Sequence, residues 1–155
     1  MKIQWIVFPA LLSALIACNK DDTPDFSGAY LASKLRSECS ETSKNVSRTF
    51  DPATNELCNT VTGGQDCFSL NLSLNKDLTY TLSTKTKQIR ANGGLVTTKP
   101  ATDQGTYTVE NNVLTLCITG GSSCITLKTT SVEGELDWQV SSSNGCNYIY
   151  TLRKN

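Results

Sequence analysis

Histidine is absent from all 155 residues. Without an imidazole, neither a Ser-His-Asp nor a Cys-His nucleophilic site can be assembled, and the His-bearing metal sites are excluded with them. Neither sign of charge is in excess, since 14 basic side chains face 14 acidic ones. No basic stripe is present, which removes the electrostatic footprint of a nucleic-acid binder. The densest basic group, Lys85, Lys87 and Arg90, reads as a solvated strand edge guarded against aggregation. There is no Cys-x-x-Cys spacing for zinc. There is no glycine-rich phosphate loop either, because Gly63-Gly64, Gly93-Gly94 and Gly120-Gly121 are doublets of the kind found at hairpin tips. Helical periodicity is missing beyond the first twenty residues, apart from a weak candidate between Ala32 and Cys39. Carboxylates at strand spacing occur at Glu133, Glu135 and Asp137, but they alternate with Leu136 and Trp138 and so read as a solvent face. The segment Asp51-Pro52-Ala53-Thr54-Asn55-Glu56 has oxygen donors without the spacing of a calcium loop, and reads as a turn. These absences point away from an enzyme and from any bound cofactor or metal.

What the chain has, first, is an apolar stretch from Trp5 to Leu15 behind Lys2. It is too short for the roughly 20 residues that a spanning helix requires and suits the apolar region of a secretory signal. The residues Leu15-Ile16-Ala17-Cys18 resemble the lipobox of bacterial lipoproteins, with Ile16 bulkier than usual. That resemblance implies cleavage after residue 17 and lipidation of Cys18, which anchors the mature chain to a membrane. The following Asn19-Lys20-Asp21-Asp22 resembles the export signal of surface lipoproteins in Bacteroidetes-type bacteria, and implies the outer membrane, on its periplasmic or cell-surface face. The expected organisation is a signal peptide over 1–17, a lipidated N-terminus and tether over 18–25, and one domain over 26–155.

Second, six further cysteines remain: Cys39, Cys58, Cys67, Cys117, Cys124 and Cys146. An even number in an exported domain implies disulfides, with fifteen connectivities open from the count alone. Cys117 and Cys124 flank a Gly-Gly-Ser-Ser turn, and Cys58 and Cys67 flank a second glycine doublet, so both pairs read as hairpin closures. Elimination then leaves Cys39 for Cys146.

Third, apolar residues alternate with period two over most of 68–152. Pairing Cys117 with Cys124 sets Leu116 against Ile125 and Leu114 against Leu127, with the cysteines on the opposite face. An Asn111-Asn112 turn, tolerant of positive φ, sets Val109 against Leu114 and Tyr107 against Leu116. Strands are expected near 105–110, 113–118 and 124–129. Upstream, a three-residue Asn75-Lys76-Asp77 turn would pair Leu74 with Leu78, Leu72 with Tyr80 and Leu70 with Leu82. The whole reads as an all-β antiparallel meander of eight to ten strands, closing into a disulfide-stapled up-and-down barrel, with a β-sandwich as the alternative.

Phe26-Ser27-Gly28-Ala29-Tyr30 resembles the Gly-x-Trp opening of lipocalin-like proteins, with Tyr30 in place of Trp. Gly105 to Val109 followed by Asn111 to Leu116 resembles the paired central strands of small bacterial lipocalin-like lipoproteins, and Tyr150 to Lys154 resembles their closing strand. The resemblance implies a barrel that binds a small hydrophobic ligand, and Arg153 packed over Tyr30. Candidates for lining such a cavity are Phe68, Leu70, Leu72, Tyr80, Leu82, Tyr107, Leu116, Trp138 and Tyr148, which serve a filled core equally well. In the alternative, the barrel is filled and its loops bind a surface protein or a glycan. The polar Thr84–Gln104 segment, with Leu95-Val96 at its centre, is the candidate surface, or else an extended hairpin beyond the rim.

Overall fold

Alternating residues demand a sheet with one buried face, and the chain satisfies that demand by wrapping the sheet around its own core. The computed structural model describes residues 24–155; Cys18 and the signal segment lie outside them. Ten strands follow: β1 (Gly28–Cys39), β2 (Ser47–Thr49), β3 (Leu57–Val61), β4 (Gly64–Leu74), β5 (Thr79–Arg90), β6 (Leu95–Glu110), β7 (Val113–Ile118), β8 (Cys124–Thr129), β9 (Glu135–Ser141) and β10 (Cys146–Lys154). Consecutive strands from β4 to β10 pair antiparallel, β10 pairs with β1, and β1 pairs back onto β4. Eight strands thus form a closed barrel and not a sandwich, with β2 and β3 as two additional strands. Closure removes the exposed edges that an open meander would present.

The seam is short. Only Gly28–Leu31 of β1 meets Leu74–Asn71 of β4. Beyond it the two strands part, β1 taking β2 as its neighbour and β4 taking β3, while an Asp51–Glu56 bridge joins the inserted pair. One end of the barrel is therefore tight and the other is splayed.

Inside the tight end, Leu70, Leu72, Leu114, Leu116 and Leu152 are fully buried, with Tyr30, Tyr80 and Tyr107 packed among them. The Tyr30 hydroxyl donates to the Phe26 carbonyl at 2.9 Å, fastening the entering chain across this end. Tyr80 lies over Gly105 on the neighbouring strand, where an added Cβ would clash with the Tyr80 ring and the Cys117 carbonyl.

All three disulfides form, as Cys39–Cys146, Cys58–Cys67 and Cys117–Cys124, and each joins residues directly opposite across a strand pair. All three ring the splayed end.

The β6–β7–β8 registers are those expected, with Asn111 and Asn112 both at positive φ. Other expectations are corrected. Leu74 pairs with Tyr80, not Leu78, which shifts β4–β5 by two residues. The turn there closes with an Asn75 amide to Thr79 carbonyl bond, and Asp77 accepts from the Thr79 amide and hydroxyl. Leu78 is left at φ 63° and half exposed. A branched side chain held there costs about 1–2 kcal/mol, and glycine avoids most of it at some entropic cost. Leu78→Gly is accordingly expected to raise stability by about 0.5–1 kcal/mol. The urea midpoint measures this, and a lowered midpoint would contradict the strained turn.

The Ala32–Cys39 stretch is β1 and not a helix. A bulge between Ala32 and Lys34 shifts the inward positions from Ala32 to Leu35, a spacing of three that mimics helical periodicity. Arg153 does not cover Tyr30: it points outward and donates to Glu135 at 2.7 and 3.0 Å, because neighbouring Leu152 takes the inward position. Lys85, Lys87 and Arg90 lie on β5, an interior strand paired on both sides, not on an edge. The Thr84–Gln104 segment is an extended hairpin, since β6 pairs with β7 only over Gly105–Glu110.

Candidate functional site

Where β1 and β4 part, the barrel opens into a cavity of about 660 Å³. Its apolar wall comes from four strands: Leu35 of β1, Leu57 of β3, Phe68 of β4 and Tyr150 of β10. Asn59, Asp66, Lys87, Gln88 and Lys99 supply a polar border, and Cys67 and Thr86 complete the lining. All but Cys67 and Lys87 are inward by register. Asp66 and Phe68 continue the face of Leu70 and Leu72, and Phe68 sits opposite both Leu57 and Thr86. β5 and β6 continue past the end of β7, so their upper halves form a wall with no counterpart on that side.

Aromatic rings form a chain at this end. Phe68 stands 6.5 Å from Phe50 and 5.8 Å from Tyr150, and Tyr150 stands 5.7 Å from Trp138, all tilted. Offset and tilted pairs at these separations are attractive beyond their buried area. Phe50 is buried at the end of β2, where its amide donates to the Ser33 carbonyl at 3.0 Å. The insert that opens the barrel also supplies Leu57 and Asn59 to the cavity lining.

Of the nine residues proposed from sequence as cavity-lining, Phe68 lines this cavity. Leu70, Leu72, Tyr80, Leu82, Tyr107 and Leu116 belong to the buried core of the barrel. Trp138 is partly buried against Tyr150, and the half-buried Tyr148 accepts a hydrogen bond from Asn144 at 3.2 Å. Leu35, Leu57, Asp66 and Tyr150 line the cavity without having been singled out. Alternation reports which way a side chain faces, and these four face inward at a depth set by the splay of β1 from β4.

Beside the cavity, Cys58–Cys67 lies close to a Glu56–Lys87 ion pair, both partners largely buried, and Arg48 donates to the Cys58 carbonyl at 2.7 Å. Glu56, Cys58 and Cys67 stand close enough together to suggest metal ligands. Both sulfurs are spent in the disulfide, and zinc requires thiolates. On the far side, Asp137 accepts from Thr151 at 2.7 Å and Arg36 at 2.9 Å, joining three strands on the outer surface. Glu135 and Asp137 are thus held by Arg153, Arg36 and Thr151, and not aimed into the cavity.

Burial raises the phenol pKa of Tyr30, Tyr80, Tyr107 and Tyr150. Neighbouring Tyr107 and Asp25 add to the effect at Tyr30, and Asp25 and Asp77 add to it at Tyr107. A phenol with a raised folded-state pKa contributes stability that is complete below its unfolded value of about 10 and is lost as pH rises through the folded value. With no histidine, urea midpoints are expected to be level from about pH 6 to 9 and to fall steeply above about pH 10. A midpoint that changes appreciably between these neutral values would contradict this.

Comparison with protein-family models, with characterised proteins and with solved structures finds no match to this chain.

Proposed function

We propose that this is a non-enzymatic, membrane-anchored lipoprotein whose lipocalin-like barrel carries a small hydrophobic ligand at its splayed end. The observation that carries the reading is the cavity of about 660 Å³ with an apolar wall and a polar border, a size and lining typical of sites for small organic molecules.

The anchor reading rests on the lipobox resemblance at Cys18 and fits the geometry of the domain. Pro24, the first described residue, adjoins the tight end. It stands six positions after Cys18, with five residues between them, a reach of at most about 21 Å. An anchored barrel therefore holds its tight end near the lipid surface and its cavity on the side away from it. In this reading the ligand reaches the mouth from the aqueous side.

The ten strands run from Gly28 to Lys154 and the three disulfides lie between Cys39 and Cys146, so a chain beginning at Asn19 contains all of them. It contains one tryptophan, Trp138, which rests on Tyr150 of the cavity wall. Titration of this chain with decanol is expected to shift Trp138 emission saturably. Thr86→Trp, which places a large ring in the cavity, is expected to abolish decanol binding as followed by native mass spectrometry. No saturable shift, or undiminished binding by the filled variant, would overturn the reading.

A second reading is favoured by a different feature. Leu95, at the tip of the β5–β6 hairpin beyond the barrel rim, is 64% exposed. A hairpin projecting beyond the rim of a closed scaffold suits an interaction module that binds a surface protein or glycan. Leu95→Ser that loses partner binding while keeping decanol binding would favour the module over the carrier.

A further inference from the structure

The cavity border carries a carboxylate, flanked across the sheet by Asn59 and Gln88 and two residues along β4 from an aromatic ring. Asp66 is half-buried on the wall two residues from Phe68, facing the same way, and its carboxylate has no hydrogen-bond or ion-pair partner among the described residues. Lys87, which also lines the cavity, has its charge met by the nearby Glu56. Lys99 borders the cavity from β6 but is exposed, and a long lysine stem carries its charge out to water. Asp66 is thus the unpaired acidic group on the lining, on the same face of β4 as Phe68, whose ring stands 5.8 Å from that of Tyr150.

We infer that the ligand of this cavity carries an organic cation, an alkylammonium or quaternary ammonium group on an apolar body. The inference rests on the carrier reading above and extends it to the chemistry of the ligand. Aromatic faces have negative quadrupoles that attract cations and repel anions. An unpaired carboxylate that loses water when a ligand covers it favours an entering positive charge and opposes a negative one. A quaternary ammonium suits the site because its charge is diffuse, so it gives up less hydration than an inorganic ion does. The apolar body then lies against Leu35 and Leu57, and the cation sits between Asp66 and the rings.

The test is a titration of the chain beginning at Asn19 with three ten-carbon probes, each below its micellar concentration. Decyltrimethylammonium, decanoate and decanol differ in head charge and share one tail. Binding is followed by Trp138 emission and native mass spectrometry. Decyltrimethylammonium is expected to bind at least about tenfold more tightly than decanoate, given aromatic and carboxylate attraction together. Asp66→Asn, nearly isosteric, is expected to remove most of that preference while decanol binding persists, which also shows that the variant is folded. Equal affinity for cation and anion, or preference for decanoate, would overturn the inference and leave the carrier reading intact. Failure of all three probes to bind would overturn both. A preference that survives Asp66→Asn would overturn the role of Asp66. Phosphatidylcholine vesicles distinguish the source: a Trp138 response to them assigns the cation to a lipid headgroup, and a response to decyltrimethylammonium alone assigns it to a freely soluble amphiphile.

Discussion

Replacing Cys39 and Cys146 together by serine is expected to cost about 4–5 kcal/mol, the largest loss from any of the three disulfides. The reason is the length of chain each one closes. Cys39–Cys146 spans 107 residues, against 9 for Cys58–Cys67 and 7 for Cys117–Cys124. In the chain-entropy account the short loops are worth only about 2–3 kcal/mol each. The long bridge also stands at the splayed end of β1, where β10 remains its neighbour and β4 has left. Its loss should lower the melting temperature by on the order of 15 °C, and the loss of either short bridge by about half as much. Melting of the three double-serine variants checks the order. A Cys39/Cys146 variant no less stable than the other two would mean that the unfolded chain is not the state these bridges restrict.

Leu72→Ala is expected to cost about 3–5 kcal/mol. Leu72 is fully buried and sits at the closing seam, opposite Tyr30 of β1 on one side and Leu82 of β5 on the other. The seam has only four paired positions, so neighbouring strands cannot collapse onto the missing methyls without loosening closure. A domain of this size has a total stability of about 5–15 kcal/mol, so the variant should be marginal. Leu95→Ala supplies the contrast. Its side chain is 64% exposed, and the change should remain within about 0.5 kcal/mol. Urea denaturation of both variants measures the difference, and similar midpoints would contradict the placement of the core.

The parts of this fold legible in the sequence are those where two independent signals agree. For β7 and β8, the apolar alternation and the Cys117–Cys124 spacing select the same register, and Asn111-Asn112 confirms the adjoining turn. Where one signal stood alone, it misled. Leu78 reads as an inward strand residue by alternation, yet it occupies the left-handed position of its turn, and the register moves by two. The bulge after Ala32 disguises a strand as a helix turn for a similar reason, since one extra residue breaks the period.

The cavity was less legible than the barrel, and the physical cause is specific. β2 has three residues, too few for alternation to register, and it determines where β1 leaves β4. Phe50 and Leu57, buried beside that insert, lie outside the alternating stretches that revealed the rest of the core. Tyr150 was visible as part of a closing strand, but its depth in the barrel was not. Inward direction is local information, whereas which inward residues meet others and which meet open space depends on closure.

The most direct test of the carrier reading is native mass spectrometry of residues 19–155 produced in an oxidising compartment of the cell. Three disulfides require a mass six hydrogens below the reduced chain. The carrier reading predicts, in the same spectrum, an adduct of roughly a few hundred daltons, the scale such a cavity admits, released when the protein is unfolded. A chain without adduct that stays at its apo mass after exposure to decanol and decyltrimethylammonium would contradict a ligand at the barrel mouth, and would leave the projecting β5–β6 hairpin as the part that acts.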